Sequence, residues 1–480
     1  MGMEMKNIRI LEAVTMMVLL SLCILLIFNE PLLLWDENVY LGNARGHMSA
    51  SNFTEDFRFP LLEYLIAFVW SFTGESVFAA RLLSVFFYLL SIFTFYLITN
   101  LLFNNDKRAM VFSALFAITP VMIYWSFRVY ADILSMALSL LAIYFIIRYE
   151  ESKNKSVFII LAGFFSSMAF LARFALAILA LSIFIYLILK KDKKGMLFFT
   201  LSSFIFILPW LIYNWINYGN IFWDLLYYQQ GVNMWTTWQP IWKEIVNIAC
   251  SLGFIIILLI PGIFFLTKKI IKEIKNRKFT IFSFFFLYLG LSLVYYTFFV
   301  NLKDVRYVII MLPLFLIISF FVVKHFEENM PPLKGKKKPK ILKFMVALIL
   351  ISSLIFLIIA NIIIFSINSE CRKENALLYS MDYIKNNSLL SEGDVIISNY
   401  WPYYAYYFNA RAYAISGSNL DEKIKEYSPK LFILKENDGT AYDAISIESS
   451  KNILLLQNFS DKCSNKIKIY TINFSTSSFS

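Results

Sequence analysis

The chain has 480 residues, of which 59% are hydrophobic and 18% aromatic, with 16% charged and a mean hydropathy of +0.64. A water-soluble protein of this length could not hide so much apolar surface, so the composition excludes a soluble globular class and points to a membrane protein. The net charge of +11 calls for no nucleic-acid partner, because its distribution along the chain accounts for it.

Residues 8–29, broken by one acid, Glu12, form the first apolar run long enough to cross a bilayer, which takes about 20 residues. It is too long for a signal peptide. Asn29-Glu30-Pro31 follows in place of a small-residue cleavage site, so the run reads as a retained anchor. Trp35-Asp36-Glu37-Asn38-Val39-Tyr40 comes next. Carboxylates at a membrane surface lose hydration and need a cation, a basic partner or a proton to take. Phe59 to Trp70 is apolar but too short to cross. Pro60 sits where a helix would start and Gly74 where it would stop, which predicts a helix lying on the membrane surface.

Further apolar runs occupy 77–102, 109–127, 129–147, 157–172, 174–189, 196–214, 245–267, 279–300, 306–323 and 342–366. Together they predict a mainly α polytopic bundle of about 11 spans. Two connecting loops are long, 30–76 and 215–244. The second carries Trp215, Trp223, Trp235, Trp238 and Trp242 with Tyr218, Tyr227 and Tyr228. Such residues form an aromatic belt at headgroup level; they would equally serve as a platform for sugar rings or an isoprenoid chain.

Past residue 366 the texture changes. Short strands are expected at Asp394–Ser398, Ala412–Ile415, Leu431–Leu434, Ile453–Leu456 and Ile467–Tyr470. Helices are expected at Glu374–Asn386, Pro402–Phe408 and Leu420–Tyr427. The alternation predicts a small α/β domain. The expected organisation is therefore a membrane domain, 1–366, and a second domain, 367–480.

Basic residues set the orientation. Lys6, Arg9, Lys107, Arg108, Arg148, Lys153, Lys155, Lys190, Lys191, Lys193, Lys194, the run from Lys268 to Lys278, and the cluster from Lys334 to Lys340 all fall on alternate loops. These loops are expected inside. The N-terminus is then cytoplasmic, and loops 30–76 and 215–244 and the C-terminal domain are extracytoplasmic, at the cell membrane. Asn-x-Ser/Thr patterns at Asn52, Asn386, Asn458 and Asn473 fall outside, and one at Asn154 falls inside. Cys23 and Cys250 lie in spans. Cys371 and Cys463 lie in the outer domain, where a disulfide persists, and are candidates to pair.

Chemistry has few residues to use. There are two histidines, His47 and His325, and no phosphate-binding glycine loop for ATP. Carboxylates and arginines are left. Asp36 and Glu37, Arg58, Arg128 and Asp132, Arg173 and Arg306 each sit on an expected outer loop at one membrane depth. Arginine there suits a lipid phosphate, which it can bind with two parallel hydrogen bonds. Each alone would read as a side chain reaching for the headgroups; four of them with two carboxylate sites point to a shared site.

The order Asp36-Glu37, then Arg58-Phe59-Pro60-Leu61-Leu62-Glu63-Tyr64, then Ala80-Arg81-Leu82, then Arg128-x-x-x-Asp132 resembles the membrane glycosyltransferases of the GT-C fold. The branch is similar to the dolichyl-phosphate-mannose-protein mannosyltransferase and aminoarabinose-transferase group. Pro209-Trp210 with Asn214, Tyr218-Gly219, and Arg306-Tyr307 with Pro313 extend the resemblance over most of the chain. It implies a polyprenyl-phosphate sugar donor, an acceptor that is protein, glycan or lipid, and inversion at the anomeric centre. It also implies a general base at Asp36, a second acid at Asp132, and basic phosphate ligands at Arg58 and Arg173. A divalent cation would serve the leaving phosphate as arginine does. The aminoarabinose branch carries an acid just before the basic residue at 58, where this chain has Phe57. Two other classes share these features: a transporter or flippase for a lipid-linked sugar, and a non-catalytic assembly subunit.

Overall fold

In a bilayer every backbone N–H and C=O must be satisfied within its own segment, so the long apolar runs fold as helices. The computed structural model describes residues 2–48, 51–52, 55, 58–227, 238–329, 338–373, 375–414, 420–436, 453–463 and 465–472; the side chains of 2–13, 326–329, 338–345, 367–373 and 420–423 fall outside that description. Trp235, Tyr228, Phe57 and Asn473 lie outside the described residues. The helices in chain order are α1 Gly2–Phe28, α2 Trp35–His47, α3 Leu61–Thr73, α4 Val77–Phe103, α5 Asp106–Ile118, α6 Pro120–Ser126, α7 Ala131–Glu151, α8 Lys155–Ala172, α9 Ala177–Leu189 and α10 Lys193–Tyr218. Then come α11 Ile241–Leu252, α12 Ile256–Asn276, α13 Ile281–Phe298, α14 Val308–Asn329 and α15 Lys338–Lys373.

By length and apolarity, 8 helices among the described residues can cross a membrane, or up to 9 if α5 and α6 count as one broken span. Val14–Phe28 and Phe174–Leu189 are apolar but shorter. With those two, every run expected to span is helical. The run expected at 109–127 is bent by 63° between α5 and α6. The cause is local. Pro120 has no amide hydrogen and disfavours helical geometry at the residue before it, and Thr119 is extended (φ −56°, ψ 129°). Asn361 Nδ2 donates to the Ile118 carbonyl at 2.8 Å, satisfying a group that the bend frees.

Contacts group the chain into two compact units. One comprises Met1–Leu25, Phe57–Leu62 and Arg81–Ile363; the other comprises Leu26–Asp56, Glu63–Ala80 and Ile364–Ser480. In the first, α7 is largely enclosed, with 78% of its apolar stretch buried. Small residues let its neighbours close up: a Cβ at Gly163 on α8 would meet the Phe199 carbonyl of α10 at 2.9 Å.

The second unit contains the predicted α/β domain. Its strands are β1 Val395–Ser398, β2 Arg411–Ala414, β3 Leu431–Lys435, β4 Ile453–Ser460 and β5 Lys466–Ile472, in the order β2-β1-β3-β5-β4. β1 runs parallel to β2 and β3, while β5 is antiparallel to β3 and β4. Successive side chains alternate between faces. Ile396, Leu431, Ile433, Ile467 and Ile469 join one apolar cluster, while Ile397, Phe432, Leu434, Tyr470 and Ile472 join another. Both faces of the central strands are covered, which explains their unbroken apolar runs.

Residues before α4 also pack in this unit. Trp35 meets Tyr400, Trp401 and Tyr403 edge-on, with ring centroids 5.6, 5.7 and 6.3 Å away. Arg45 donates to the Tyr406 carbonyl at 2.8 Å and pairs with Glu75. Asn43 bonds the backbone of Glu55 in both directions and donates to Glu63 at 2.7 Å. Helix α3 stops at Gly74 (φ +74°), a conformation that favours glycine. Its Trp70 face is buried while Phe68 and Phe72 are exposed, as expected of a helix lying at an interface. Hydropathy divides the chain at residue 366, whereas packing joins these early segments to the tail.

Candidate active site

In the helical unit the expected site residues gather at the N-terminal end of α7. Tyr130 precedes the helix, and Asp132 lies in its first turn, where the positive end of the helix dipole favours an acid. Asp132 is 3% exposed, and its carboxylate pairs with the Arg173 guanidinium. Arg173 follows α8, which runs back antiparallel along α7 and so returns the chain to the same end. A short turn at Val305–Tyr307 brings in the third element. The Tyr307 ring centroid lies 5.0 Å from the Arg173 guanidinium and 5.6 Å from that of Arg306. Arg306 also faces the Tyr130 ring at 5.5 Å, and its Nε lies 3.3 Å from Asp304. Tyr307 also stacks on Tyr296, with centroids 5.4 Å apart.

Arg128 is fully buried, its guanidinium 4.5 Å from the centroid of Tyr124. Trp125 links that segment to Tyr130 at 4.6 Å. Arg58 is half-buried. The residue after it, Phe59, packs on Phe170 and Phe174, which bracket Arg173, and on Trp210. One aromatic cluster therefore fixes the chain at both Arg58 and Arg173. Arg58, Arg128, Asp132, Arg173 and Arg306 thus belong to one helical unit, and aromatic faces hold most of their guanidinium groups.

Asp36 and Glu37 belong to the other unit. Both lie in the first turn of α2, which Trp35 anchors. Glu37 is fully buried, and its Oε2 accepts the Leu34 amide at 2.8 Å, which secures the start of the helix. Asp36 is half-buried. Cys463 is disulfide-bonded, whereas Cys23 and Cys250 are free; the Cys371 side chain is outside the described residues. Among the described residues no group of three or more His, Cys, Asp or Glu side chains comes together as a metal site.

Sequence reasoning passed over Asp224. It is 4% exposed; it accepts from Trp210 Nε1 at 2.7 Å and lies 3.3 Å from Asn214 Nδ2. It therefore holds the indole that supports Phe59. The signal was present: an acid five residues after Gly219, inside a loop dense in aromatics. In that loop Tyr218 stacks on Trp223 (5.0 Å, 6°), and Tyr227 lies tilted against Trp223 (4.5 Å, 32°). Lys303 has a structural task. Its ammonium donates to the carbonyls of Tyr296, Thr297 and Val300 at 2.5, 2.9 and 2.5 Å, closing the C-terminal end of α13. Burial lowers its pKa, and the charge of Glu244 opposes that shift.

Comparison with known proteins decides the architecture. Over 95% of this chain and 97% of the other, the structure superposes with TM-score 0.66 on ArnT from Cupriavidus metallidurans in the apo state, at 9% identity. The chain has the GT-C fold. ArnT bound to undecaprenyl phosphate matches with TM-score 0.65 at 8% identity, over 96% of this chain and 97% of that one. The archaeal oligosaccharyltransferase AglB from Archaeoglobus fulgidus, in complex with an inhibitory peptide and a dolichol-phosphate, matches with TM-score 0.59 at 12% identity. That match covers 88% of this chain and 69% of that one. The family described as dolichyl-phosphate-mannose-protein mannosyltransferase matches residues 58–213, the stretch that carries Arg58, Arg128, Asp132 and Arg173. No curated protein matches the chain.

Proposed function

We propose that this GT-C chain is a membrane glycosyltransferase that moves a sugar, a hexose by our reading, from a polyprenyl-phosphate carrier to an acceptor hydroxyl on the outer face of the membrane. The observation that carries the reading is the arginine-rich end of α7, where Asp132 pairs with Arg173 and both Arg173 and Arg306 lie near the Tyr307 ring. The acceptor oxygen attacks the anomeric carbon, the bond from that carbon to the phosphate oxygen breaks, and configuration inverts. Asp36 is the candidate base that takes the acceptor's proton. Arg58, Arg128, Arg173 and Arg306 are the candidates to hold the phosphate and the charge it gains on leaving. Asp132 keeps Arg173 aimed; Glu37, bonded to the Leu34 amide, positions Asp36. The two bound polyprenyl phosphates in the ArnT and AglB structures support a donor of that class here.

The test is transfer from a radiolabelled polyprenyl-phosphate hexose by purified protein. Asp36→Asn should keep donor binding and lower transfer by roughly 10²–10⁴-fold. Near-normal transfer by that variant removes the base assignment. Failure of the wild-type protein to release polyprenyl phosphate favours a carrier or assembly subunit instead.

A further inference from the structure

The opposite end of the same helices holds a second feature. Asp132 and Glu150 both lie on α7, eighteen residues and so roughly 27 Å apart. Around Glu150 opens a cavity of about 700 Å³ whose wall includes Tyr149, Asn154 and four lysines, Lys153, Lys155, Lys190 and Lys194. Its two acids are already engaged: Glu150 pairs with Lys190, and Asp192 accepts from the Tyr149 hydroxyl and from the Gly195 amide. The wall is therefore positive on balance. The first turns of α8 and α10 both open there, adding the positive ends of two helix dipoles. Gly195 lets the Tyr149–Asp192 pair sit against α10, since a Cβ would come within 2.6 Å of the tyrosine oxygen.

What adjoins the cavity identifies the ligand. Val157 and Ile160 on α8, Ile188 and Leu189 on α9, and Leu197 and Leu201 on α10 are exposed. A basic cavity bordered by bare apolar helix faces fits an amphiphile, with its phosphate among the lysines and its chains along the helices. We infer that this cavity binds the headgroup of an anionic phospholipid, at a site separate from the arginine cluster.

The experiment uses the full chain in nanodiscs or mixed micelles, with lipid retention read by native mass spectrometry and protection by thermal shift. Phosphatidylglycerol is compared with phosphatidylcholine and with inorganic phosphate at matched concentration. The wild type should retain phosphatidylglycerol with an affinity on the order of 10²-fold above that of K153Q/K155Q/K194Q, given a contribution of roughly fivefold per lysine. Phosphatidylcholine should not distinguish the two. K153R/K155R/K194R, which keeps the charge, should bind as the wild type does. Equal retention by the Gln variant, or loss of binding by the Arg variant, overturns the site. Equal protection by inorganic phosphate overturns the lipid assignment. Anionic lipid held at the arginine cluster would be retained by all three proteins, so it does not mimic the expected difference.

Discussion

The two ends of the α7–α8 pair carry charge in opposite ways. At the Asp132 end the charges are few, arginine-based, buried or half-buried, and packed against Tyr130 and Tyr307. At the Glu150 end they are lysines, exposed, on the rim of an open cavity. Arginine tolerates partial burial because its planar group is weakly hydrated and stacks on rings; lysine is a compact, strongly hydrated charge. The first arrangement fixes a guanidinium in one orientation, and the second offers a diffuse field. A site needing geometry should be brittle to mutation, and a site needing only charge should be tolerant.

The sharpest break of that contrast is Arg173→Ala. It leaves Asp132 buried beside a lost partner, which should destabilise the helical unit by about 3–5 kcal/mol and weaken donor binding. R173A/D132N should recover much of the stability and none of the donor affinity. Thermal unfolding in detergent with a donor-binding assay separates the two readouts. If R173A unfolds like the wild type, the pair is not an enclosed one.

The tail supplies two intermediate cases, held by covalent and backbone bonds instead of exposed charge. Pairing of Cys463 with Cys371 closes a loop long enough to stabilise the tail by roughly 3–5 kcal/mol in the chain-entropy model. Cys463→Ser, or reduction, should lower its melting temperature; a Cys371 thiol found free by mass spectrometry in the native protein would reject the pairing. Asp461 is the second case. It accepts from the amides of Ala376, Cys463 and Asn465 and from the Asn465 side chain. Burial raises its pKa, but these four donors outweigh burial and hold it below the usual carboxylate range. Its folded pKa is thus below its unfolded one. Its contribution is full above the unfolded value, about 4, and is lost as pH falls through the folded value. Asp461→Ala should cost about 1–3 kcal/mol at neutral pH, and the gap from wild type should close under acid. A pH-independent gap would contradict this.

The smallest effect should come from the lysine end. Lys194→Gln alone should move thermal stability by less than about 0.5 kcal/mol in neutral lipid and leave sugar transfer unchanged. A large loss there would mean that the two ends are not built differently.

Much of this was legible in the sequence because bilayer and sheet impose strong patterns. The apolar runs marked the helices, and the short segments from residue 394 on marked the five strands seen among the described residues. Asp132 and Arg173 were visible as charges in turns between apolar runs. Three things were not. The bend at Thr119–Pro120 is invisible to hydropathy, which averages over it, although the proline itself was a warning. The union of Trp35 and Arg45 with Tyr400, Tyr403 and Tyr406 joins residues more than 350 positions apart, and no periodicity reports it. The approach of Arg173 to the Tyr307 ring depends on the end of α8 meeting the turn at Val305–Tyr307, 134 positions further on, so the sequence around Arg173 does not reveal it.

Lys303 has a consequence for kinetics. A helix end carries roughly half a negative charge on its open carbonyls, and the end of α13 lies just before the turn that presents Arg306. With the carbonyls of Tyr296 and Thr297 at that end, and of Val300 just past it, bound to an ammonium, an anion diffusing toward Arg306 meets a neutralised terminus. Removing the ammonium, as in Lys303→Met, would leave Arg306 in place yet slow the capture of a phosphate-bearing lipid, and added salt would mask the difference. The lysine would then act as an electrostatic shutter held open, setting how fast a donor arrives without touching it.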